Sequence, residues 1–236
     1  MRLATLDDLL DTLDGLFGEG DLTRRGDRDA WADILSRPGH PLASALPDAN
    51  LRDWAARGLL PGGPGRAALD VGCGLGRNTT FLAGLGYHAT GVDLSPYAVQ
   101  VARGRDPRPT FHEVDVLRQP IPGGPFDVVY DSGCFHHLPP HRRLSYLTTL
   151  SGVLKPGGLF GICTFAAGRM GSAETDLELF RQGTLSGGIG FSVADLRHVF
   201  SDLEFLTGGP LPAPADASAD VFTQDFLLAA LFRRPA

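Results

Sequence analysis

Three glycines at alternate positions, Gly72, Gly74 and Gly76, follow an apolar stretch at 67–71. Glycine adopts backbone conformations that other residues avoid, and a glycine-rich turn before a helix brings backbone N–H groups close to a ligand. In the dinucleotide fingerprint the third glycine stands three residues after the second. Arg77 occupies that position here. The spacing therefore predicts a ligand-binding loop and disfavours a nicotinamide dinucleotide.

Carboxylates end the next two predicted strands. Asp93 follows the glycine loop by about 20 residues, the spacing at which a carboxylate accepts hydrogen bonds from the two hydroxyls of a ribose. A nicotinamide dinucleotide would use this carboxylate in the same way, so Asp93 alone does not identify the ligand. Asp115 ends the third strand in the same manner.

Four segments carry matched signals: the glycine loop with Asp70 before it, 111–116, 126–132 and 155–160. In order and spacing they resemble the motifs of class I S-adenosylmethionine (SAM)-dependent methyltransferases. The resemblance covers residues 66–165 and implies that SAM is the cofactor. It also implies that Asp115 accepts a hydrogen bond from the adenine amino group and that the backbone N–H of Val116 contacts the ring.

The resemblance assigns the glycine loop and the following helix start to the cofactor. Asp70 either accepts backbone N–H bonds from the loop or lies near the cofactor ammonium group. Arg77 and Asn78 begin a helix, whose free N–H groups attract a carboxylate. Arg77 is predicted to pair with the methionyl carboxylate, and the alternative is a solvated helix residue. The predicted cofactor-binding residues are Asp70, Gly72, Cys73, Gly74, Gly76, Arg77, Asn78, Asp93, Leu94, Asp115, Val116, Asp131 and Ser132.

Two adjacent histidines, His136 and His137, follow the fourth predicted strand. In open α/β folds ligands bind where such loops leave the carboxyl ends of the strands. Either histidine is a candidate general base near neutral pH. The alternative is that the pair packs and orients the loop, because transfer to a soft nucleophile such as a thiolate needs alignment and no base. No metal site is predicted, since Pro139 and Pro140 interrupt helical spacing to the next histidine.

The chain alternates apolar runs with helical patterns, which indicates a mostly parallel sheet with helices on both faces. The predicted fold is a Rossmann-like α/β sheet of seven strands whose last strand is antiparallel. The glycine-rich stretch 166–190 is predicted to be a loop over the acceptor, and 208–219 an exposed loop. Strands are predicted at 67–71, 87–92, 109–114, 126–131, 158–165, 203–207 and 225–232, and helices at 77–85, 96–104, 141–154 and 193–200.

The N-terminal part has a different pattern. Apolar residues at helical spacing within 3–17 predict an amphipathic helix, and two further helices are predicted at 28–35 and 50–57. Residues 1–60 are therefore predicted to form a helical cap over the acceptor site, and 61–236 the SAM-binding domain. This layout also resembles, more weakly, thiopurine and tellurite methyltransferases, although Ser132 replaces the arginine of their Asp-Arg-Gly motif.

The composition of the chain limits the classes of partner that it is expected to bind. The 236 residues carry a net charge of −6 without a basic stripe, which disfavours a nucleic-acid partner. No apolar run is long enough for a membrane span, and the acidic start does not resemble a signal peptide. Three cysteines, an odd number, are expected to be reduced thiols. A cytoplasmic monomer or homodimer is expected.

These patterns predict methyl transfer from SAM to a small-molecule acceptor, with S-adenosylhomocysteine as the by-product. The motifs of exocyclic-amine and protein-arginine methylation are missing after the fourth strand, and a bacterial tailoring role is suggested by resemblance only. The alternative from another class is a protein that binds SAM without methylating, as a regulatory module or a non-methylating enzyme.

Overall fold

The computed structural model describes residues 3–17, 28–185, 187–213 and 220–236. Its centre is a seven-stranded sheet in the order β3-β2-β1-β4-β5-β7-β6. All strand pairs from β3 to β5 are parallel, whereas β7 runs antiparallel to both β5 and β6. The predicted fold class is confirmed. The strands are β1 (Ala67–Val71), β2 (His88–Asp93), β3 (Thr110–Glu113), β4 (Phe126–Ser132), β5 (Leu154–Phe165), β6 (Glu204–Pro210) and β7 (Leu227–Arg233).

Eight α-helices flank this sheet within the described residues, together with short 3-10 helices at Pro41–Ala43 and Phe135–His137. None of these helices is long and apolar enough to cross a bilayer. The helices are α1 (Leu6–Asp14), α2 (Arg28–Ser36), α3 (Ala49–Ala56), α4 (Arg77–Gly84), α5 (Pro96–Arg105), α6 (Arg142–Val153), α7 (Asp176–Gln182) and α8 (Val193–Val199).

Alternating side chains of the strands divide the core between the two faces of the sheet. Val129 of β4 belongs to one apolar cluster, with Tyr146 of α6. Its neighbour Tyr130 belongs to the cluster on the other face, with Leu51 and Trp54 of α3. Strand side chains point alternately to opposite faces, which produces this division. Helix α3 therefore shares the core of the sheet, although the sequence grouped it with the N-terminal cap.

Some predicted boundaries were wrong. β5 begins at Leu154, before the start predicted at residue 158, and its pairing with β4 shifts register between Phe126 and Val128. β6 continues through Pro210, so the predicted exposed loop begins later, and its part 214–219 lies outside the described residues.

The stretch 166–190 contains a helix that the sequence did not predict. Thr175 and Glu178 form a capping box at the start of α7, and Leu179 is fully buried. Backbone bonds join Ser172 to Gly188 and Gly190, and the Ile189 N–H donates to the His136 carbonyl at 2.8 Å. The described part of this stretch is therefore packed onto the loop that follows β4.

Candidate active site

A cavity of about 430 Å³ opens at the carboxyl ends of β1, β2, β3 and β4. The strand order reverses between β1 and β4, which is where open α/β sheets bind ligands. The lining is mostly apolar, as in most small-molecule sites. Eleven of the thirteen predicted cofactor residues line it, namely Asp70, Gly72, Cys73, Gly74, Arg77, Asn78, Asp93, Leu94, Asp115, Val116 and Ser132.

The glycine loop needs glycine at two of its positions for different reasons. Gly72 has a φ of 64°, and an added Cβ would lie 2.8 Å from the Cβ of Cys134. Gly76 has a φ of 88°, and its added Cβ would lie 3.0 Å from the Phe111 ring. Gly76 is outside the cavity lining. The absence of a side chain at Gly76 allows α4 to start close to β3. The absence of a side chain at Gly72 allows the loop to pack against the segment after β4.

Asp93 connects the glycine loop to the start of α5. Its Oδ2 accepts from the Gly74 N–H and its Oδ1 from the Ser95 N–H, both at 2.8 Å. Burial raises the pKa of this carboxyl. Each carboxylate oxygen accepts two hydrogen bonds, so one site remains on each oxygen for a ribose hydroxyl.

Asp70 is buried at the end of β1 and lines the cavity. Thr79 Oγ1 of α4 donates to its Oδ2 at 2.6 Å, and within the described residues no backbone N–H of the glycine loop donates to it. Burial raises the pKa of Asp70 to about 7. Of the two sequence alternatives, the contacts favour the one in which this carboxylate is left for a cationic group.

Arg77 is held by a carboxylate that the sequence did not single out. Its Nε and Nη2 donate to Asp48 Oδ1 at 3.1 and 2.8 Å, and Nη2 also donates to Ser132 Oγ at 3.2 Å. Phe222 covers the guanidinium at 4.1 Å from the ring centroid. Arg77 is therefore a buried side chain in a fixed pose, and the alternative of a solvated helix residue is wrong.

Asn78 belongs to the same network. Its Oδ1 accepts from the Asp48 backbone N–H at 3.0 Å, and its Nδ2 donates to Asp48 Oδ2 at 3.1 Å. Tyr130 donates its hydroxyl to the same oxygen at 2.7 Å. Asp48 occupies the position before α3, where an acidic residue normally caps a helix. No sequence signal distinguishes it from a cap, although its side chain makes no cap bond.

Asp115 and Val116 lie at the other end of the cavity, after β3. The Asp115 Oδ1 accepts from the Leu117 N–H at 3.0 Å, and the Asp115 N–H donates to Gln119 Oε1 at 2.8 Å. Val116, Leu117 and Leu138 line the cavity beside them. An apolar slot next to an acceptor carboxylate matches a flat ring that carries an amino group.

His136 and His137 line the cavity, and their hydrogen bonds assign both tautomers. The Phe165 N–H donates to His136 Nδ1 at 3.3 Å, so the proton of His136 lies on Nε2. That Nε2 is 3.1 Å from His137 Nε2, which must accept, leaving the proton of His137 on Nδ1. Burial, with the nearby His137, holds the pKa of His136 well below its usual value. His136 therefore has no basic lone pair left for a substrate.

Aromatic rings continue from the histidine pair in both directions. The Trp31 ring of α2 contacts the His137 ring edge-on, with 4.8 Å between the ring centroids. The Phe165 ring stacks on the His136 ring, with 3.7 Å between the centroids. Phe226 contacts Phe165 at 6.2 Å. All five side chains line the cavity. This aromatic wall, formed by Trp31, His137, His136, Phe165 and Phe226, carries no charged side chain.

Asp131 lies behind the wall and outside the cavity lining. It is fully buried, accepts from the Cys134 N–H at 2.9 Å and accepts from the Tyr146 hydroxyl at 2.8 Å. These contacts hold the loop after β4 in place. Asp131 therefore does not contact the cavity itself and affects it only by positioning that loop.

The fold and this cavity define a nucleotide-type ligand site in a doubly wound α/β protein. Residues 68–158 match the family described as a methyltransferase domain. The resemblance to class I SAM-dependent methyltransferases that the motifs predicted is thereby confirmed, with SAM as the cofactor.

Two relatives that are similar in sequence are also named as methyltransferases. An uncharacterised methyltransferase of Synechocystis is 35% identical over 99 residues, covering 42% of this chain and 47% of that protein. The 27-O-demethylrifamycin SV methyltransferase of Amycolatopsis mediterranei is 32% identical over 154 residues, covering 58% and 56%. The chain thus spans only about half the length of these curated relatives.

A solved structure from work on the conversion of a disulfide bond into a thioacetal group during echinomycin biosynthesis is also similar. It is 29% identical, with a TM-score of 0.62, over 85% of each chain. The similarity therefore extends well beyond the methyltransferase-domain match, into the N-terminal or C-terminal parts that border the cavity.

Proposed function

We propose that this chain transfers the methyl group of SAM to an uncharged small-molecule acceptor without a histidine base. The single observation that carries the proposal is the convergence of the glycine loop and three strand-end carboxylates, Asp70, Asp93 and Asp115, on one cavity. When bound, SAM supplies an electrophilic methyl group, which passes to the nucleophile while the electrons of the broken bond stay on sulfur.

The residues of the cavity divide between the parts of the donor. Asp115 and Val116 bind the adenine, and Asp93 binds the ribose hydroxyls with its two remaining acceptor sites. Asp70 binds the ammonium group and Arg77 the carboxylate of the methionyl end. This assignment fits the group because Asp70, Asp93 and Arg77 keep hydrogen-bonding capacity after their contacts within the protein.

The acceptor binds along the aromatic wall, and α2 is the part of the cap predicted over residues 1–60 that borders it. Trp31 and Leu35 of that helix border the cavity. Because the tautomers of His136 and His137 leave no basic lone pair on either ring, the pair positions the acceptor and does not deprotonate it. The reaction then relies on alignment and exclusion of water, which are worth roughly 7–11 kcal/mol when well arranged.

A nucleophile that carries no proton to lose suits this wall best, and sulfur in a thioether or disulfide is such an atom. The similar solved structure comes from chemistry on a disulfide bond, and a curated relative is named for a demethylated rifamycin. Both support a role in tailoring a microbial natural product.

A labelled transfer assay tests the proposal. The protein is incubated with SAM whose methyl group is deuterated and with a panel of disulfides, thioethers, thiols, phenols and amines. We expect S-adenosylhomocysteine and a labelled product from a sulfur acceptor, at a rate that does not follow the titration of a histidine. Donor binding without transfer to any class on the panel favours the SAM-binding module instead.

A further inference from the structure

The Asp48 carboxylate is fully buried beside the cavity and accepts four side-chain hydrogen bonds. Arg77 donates two of them to Oδ1, while Asn78 and Tyr130 donate to Oδ2. Asn50 completes the network, since its Nδ2 donates to the Tyr130 hydroxyl at 3.1 Å. This set, the Asp48 network, joins the start of α3 to α4 and β4.

Stability alone gives little reason for such a network. Removing two charges from water costs several kcal/mol per ion, and apolar side chains of similar volume often stabilise a protein as well or better. The side chains of Arg77 and Asp48 are only 10% and 0% exposed. The network nevertheless places the guanidinium on the lining of the cavity. A role in ligand recognition explains why charge is kept there.

The contacts of Arg77 leave one edge of its guanidinium for a ligand. Nε and Nη2 are used by Asp48 and Ser132, and Phe222 covers one face. In the part of the chain that the structure describes, Nη1 has no acceptor, and it is not a fully buried atom. A guanidinium presents planar, directed N–H groups that match a carboxylate.

Asp70 lines the same cavity and provides the opposite charge. The methionyl end of the donor carries an ammonium group and a carboxylate on one carbon, so it needs a carboxylate and a guanidinium in the same cavity. Arg77 donates to Asp48, whereas the side-chain donor to Asp70 is Thr79, so the guanidinium and the Asp70 carboxylate are not paired with each other among the described residues.

Resting on the proposed function, we propose that Asp48 is a positioning residue that fixes Arg77 with Nη1 toward the α-carboxylate of the donor. The Asp48 network thereby selects donors and products that keep this carboxylate. Asp48 itself touches neither donor nor acceptor.

Calorimetric titrations with two ligands test this. One is S-adenosylhomocysteine, and the other is its decarboxylated analogue, in which hydrogen replaces the carboxylate. A hydrogen bond to a charged group corresponds to about tenfold to hundredfold in affinity, so the wild-type protein is expected to prefer S-adenosylhomocysteine by at least about tenfold. Asp48→Asn is expected to lower that preference at least about fivefold while affinity for the analogue changes little.

The matched control is Asp53→Asn on α3, the helix that follows Asp48. The Asp53 carboxylate pairs with Arg57 at the surface, so this variant should keep the full preference. If Asp48→Asn does not fold, Arg77→Lys replaces it, because lysine keeps the charge and loses the planar fork; the preference should again fall. Equal loss of both affinities in Asp48→Asn, or an unchanged preference, would overturn the inference. So would a wild-type protein that binds both ligands equally, although the proposed function would stand. Failure of the wild-type protein to bind S-adenosylhomocysteine would overturn both.

Discussion

At the scale of single residues, the position of the proton on the His136 ring decides between two mechanisms, one with a histidine as general base and one without. His136 accepts from the Phe165 N–H and donates to His137, so it is part of the structure of the loop after β4. A general base needs a lone pair aimed at the substrate. We therefore interpret the histidine pair as a wall that positions the acceptor.

Replacing His136 with phenylalanine is expected to affect stability more than chemistry. The ring still stacks on Phe165, but the Phe165 N–H loses its acceptor, and an unsatisfied buried donor costs about 1–3 kcal/mol. Chemical denaturation should show a loss of that size. The transfer rate of any acceptor found should still show no titration of a histidine. Because the pKa of His136 is held well below 6.5, an acidic limb below that pH that is present in the wild type and absent in the variant would assign His136 as the base.

Asp70 is expected to make donor binding depend on pH. With its pKa raised to about 7 by burial, it is largely protonated in the free protein below that pH. The ammonium group of the donor needs the ionised form, so affinity should fall by up to tenfold for each pH unit below 7 and level off above it. Titrations of S-adenosylhomocysteine from pH 5.5 to 8.5 measure this, and Asp70→Asn should flatten the curve. A wild-type affinity that does not vary over this range would contradict the role of Asp70.

At the scale of elements, ion pairs hold α1 against α6. Asp14 accepts from His141 Nε2 at 2.8 Å and from Arg142 Nε at 2.9 Å. Phe17 packs beside them, with ring contacts to His141 and Phe180. Although partial burial would raise it, these hydrogen bonds hold the pKa of Asp14 well below its usual value.

Arg142→Ala is expected to lower the free energy of unfolding by about 3 kcal/mol at pH 7, because it removes a buried guanidinium that donates three hydrogen bonds to Asp14. A carboxylate with a lowered pKa stabilises the fold above its unfolded value of about 3.9, and this contribution disappears as the pH falls below it. The loss measured by denaturation should therefore shrink toward pH 3. The control Arg37→Ala removes an exposed pair with Asp33 and should cost less than about 1 kcal/mol.

The sequence predicted the elements that carry strong local signals. The strands around the glycine loop were found because apolar runs meet glycine and acidic residues at fixed spacing. Helix α7 was missed because seven residues between glycine-rich stretches carry little periodicity. Asp48 was missed for another reason: its partners Asn78 and Tyr130 are 30 and 82 positions away, and only the folded chain brings them together. The tautomers of the histidine pair likewise depend on a backbone N–H from β5.

At the scale of the whole molecule, two buried carboxylates make the free energy of unfolding depend on pH in the same direction. Burial raises the pKa of Asp70 to about 7 and that of Asp131 to about 6. In the unfolded chain both lie near 3.9. Between these values the folded state binds more protons than the unfolded state, so stability declines as the pH rises.

The ligand-free protein is therefore expected to melt at a higher temperature at pH 5 than at pH 8. Asp131→Asn should reduce this difference, because asparagine cannot ionise and keeps the size of the side chain. Thermal unfolding of both proteins across this range, without donor, measures it. A variant with the same pH dependence as the wild type would show that Asp131 is ionised throughout.

The central claim is that four strand ends form one cradle for SAM, and calorimetric titration of S-adenosylhomocysteine tests it most directly. The wild-type protein is predicted to bind one equivalent, and Asp93→Asn to weaken binding about tenfold to a hundredfold through its lost charge at the ribose. Asp106→Asn, which changes a buried carboxylate paired with Arg108 outside the cavity lining, should bind as the wild type does. Absence of binding by the wild type, or an unchanged affinity in Asp93→Asn, would contradict the account.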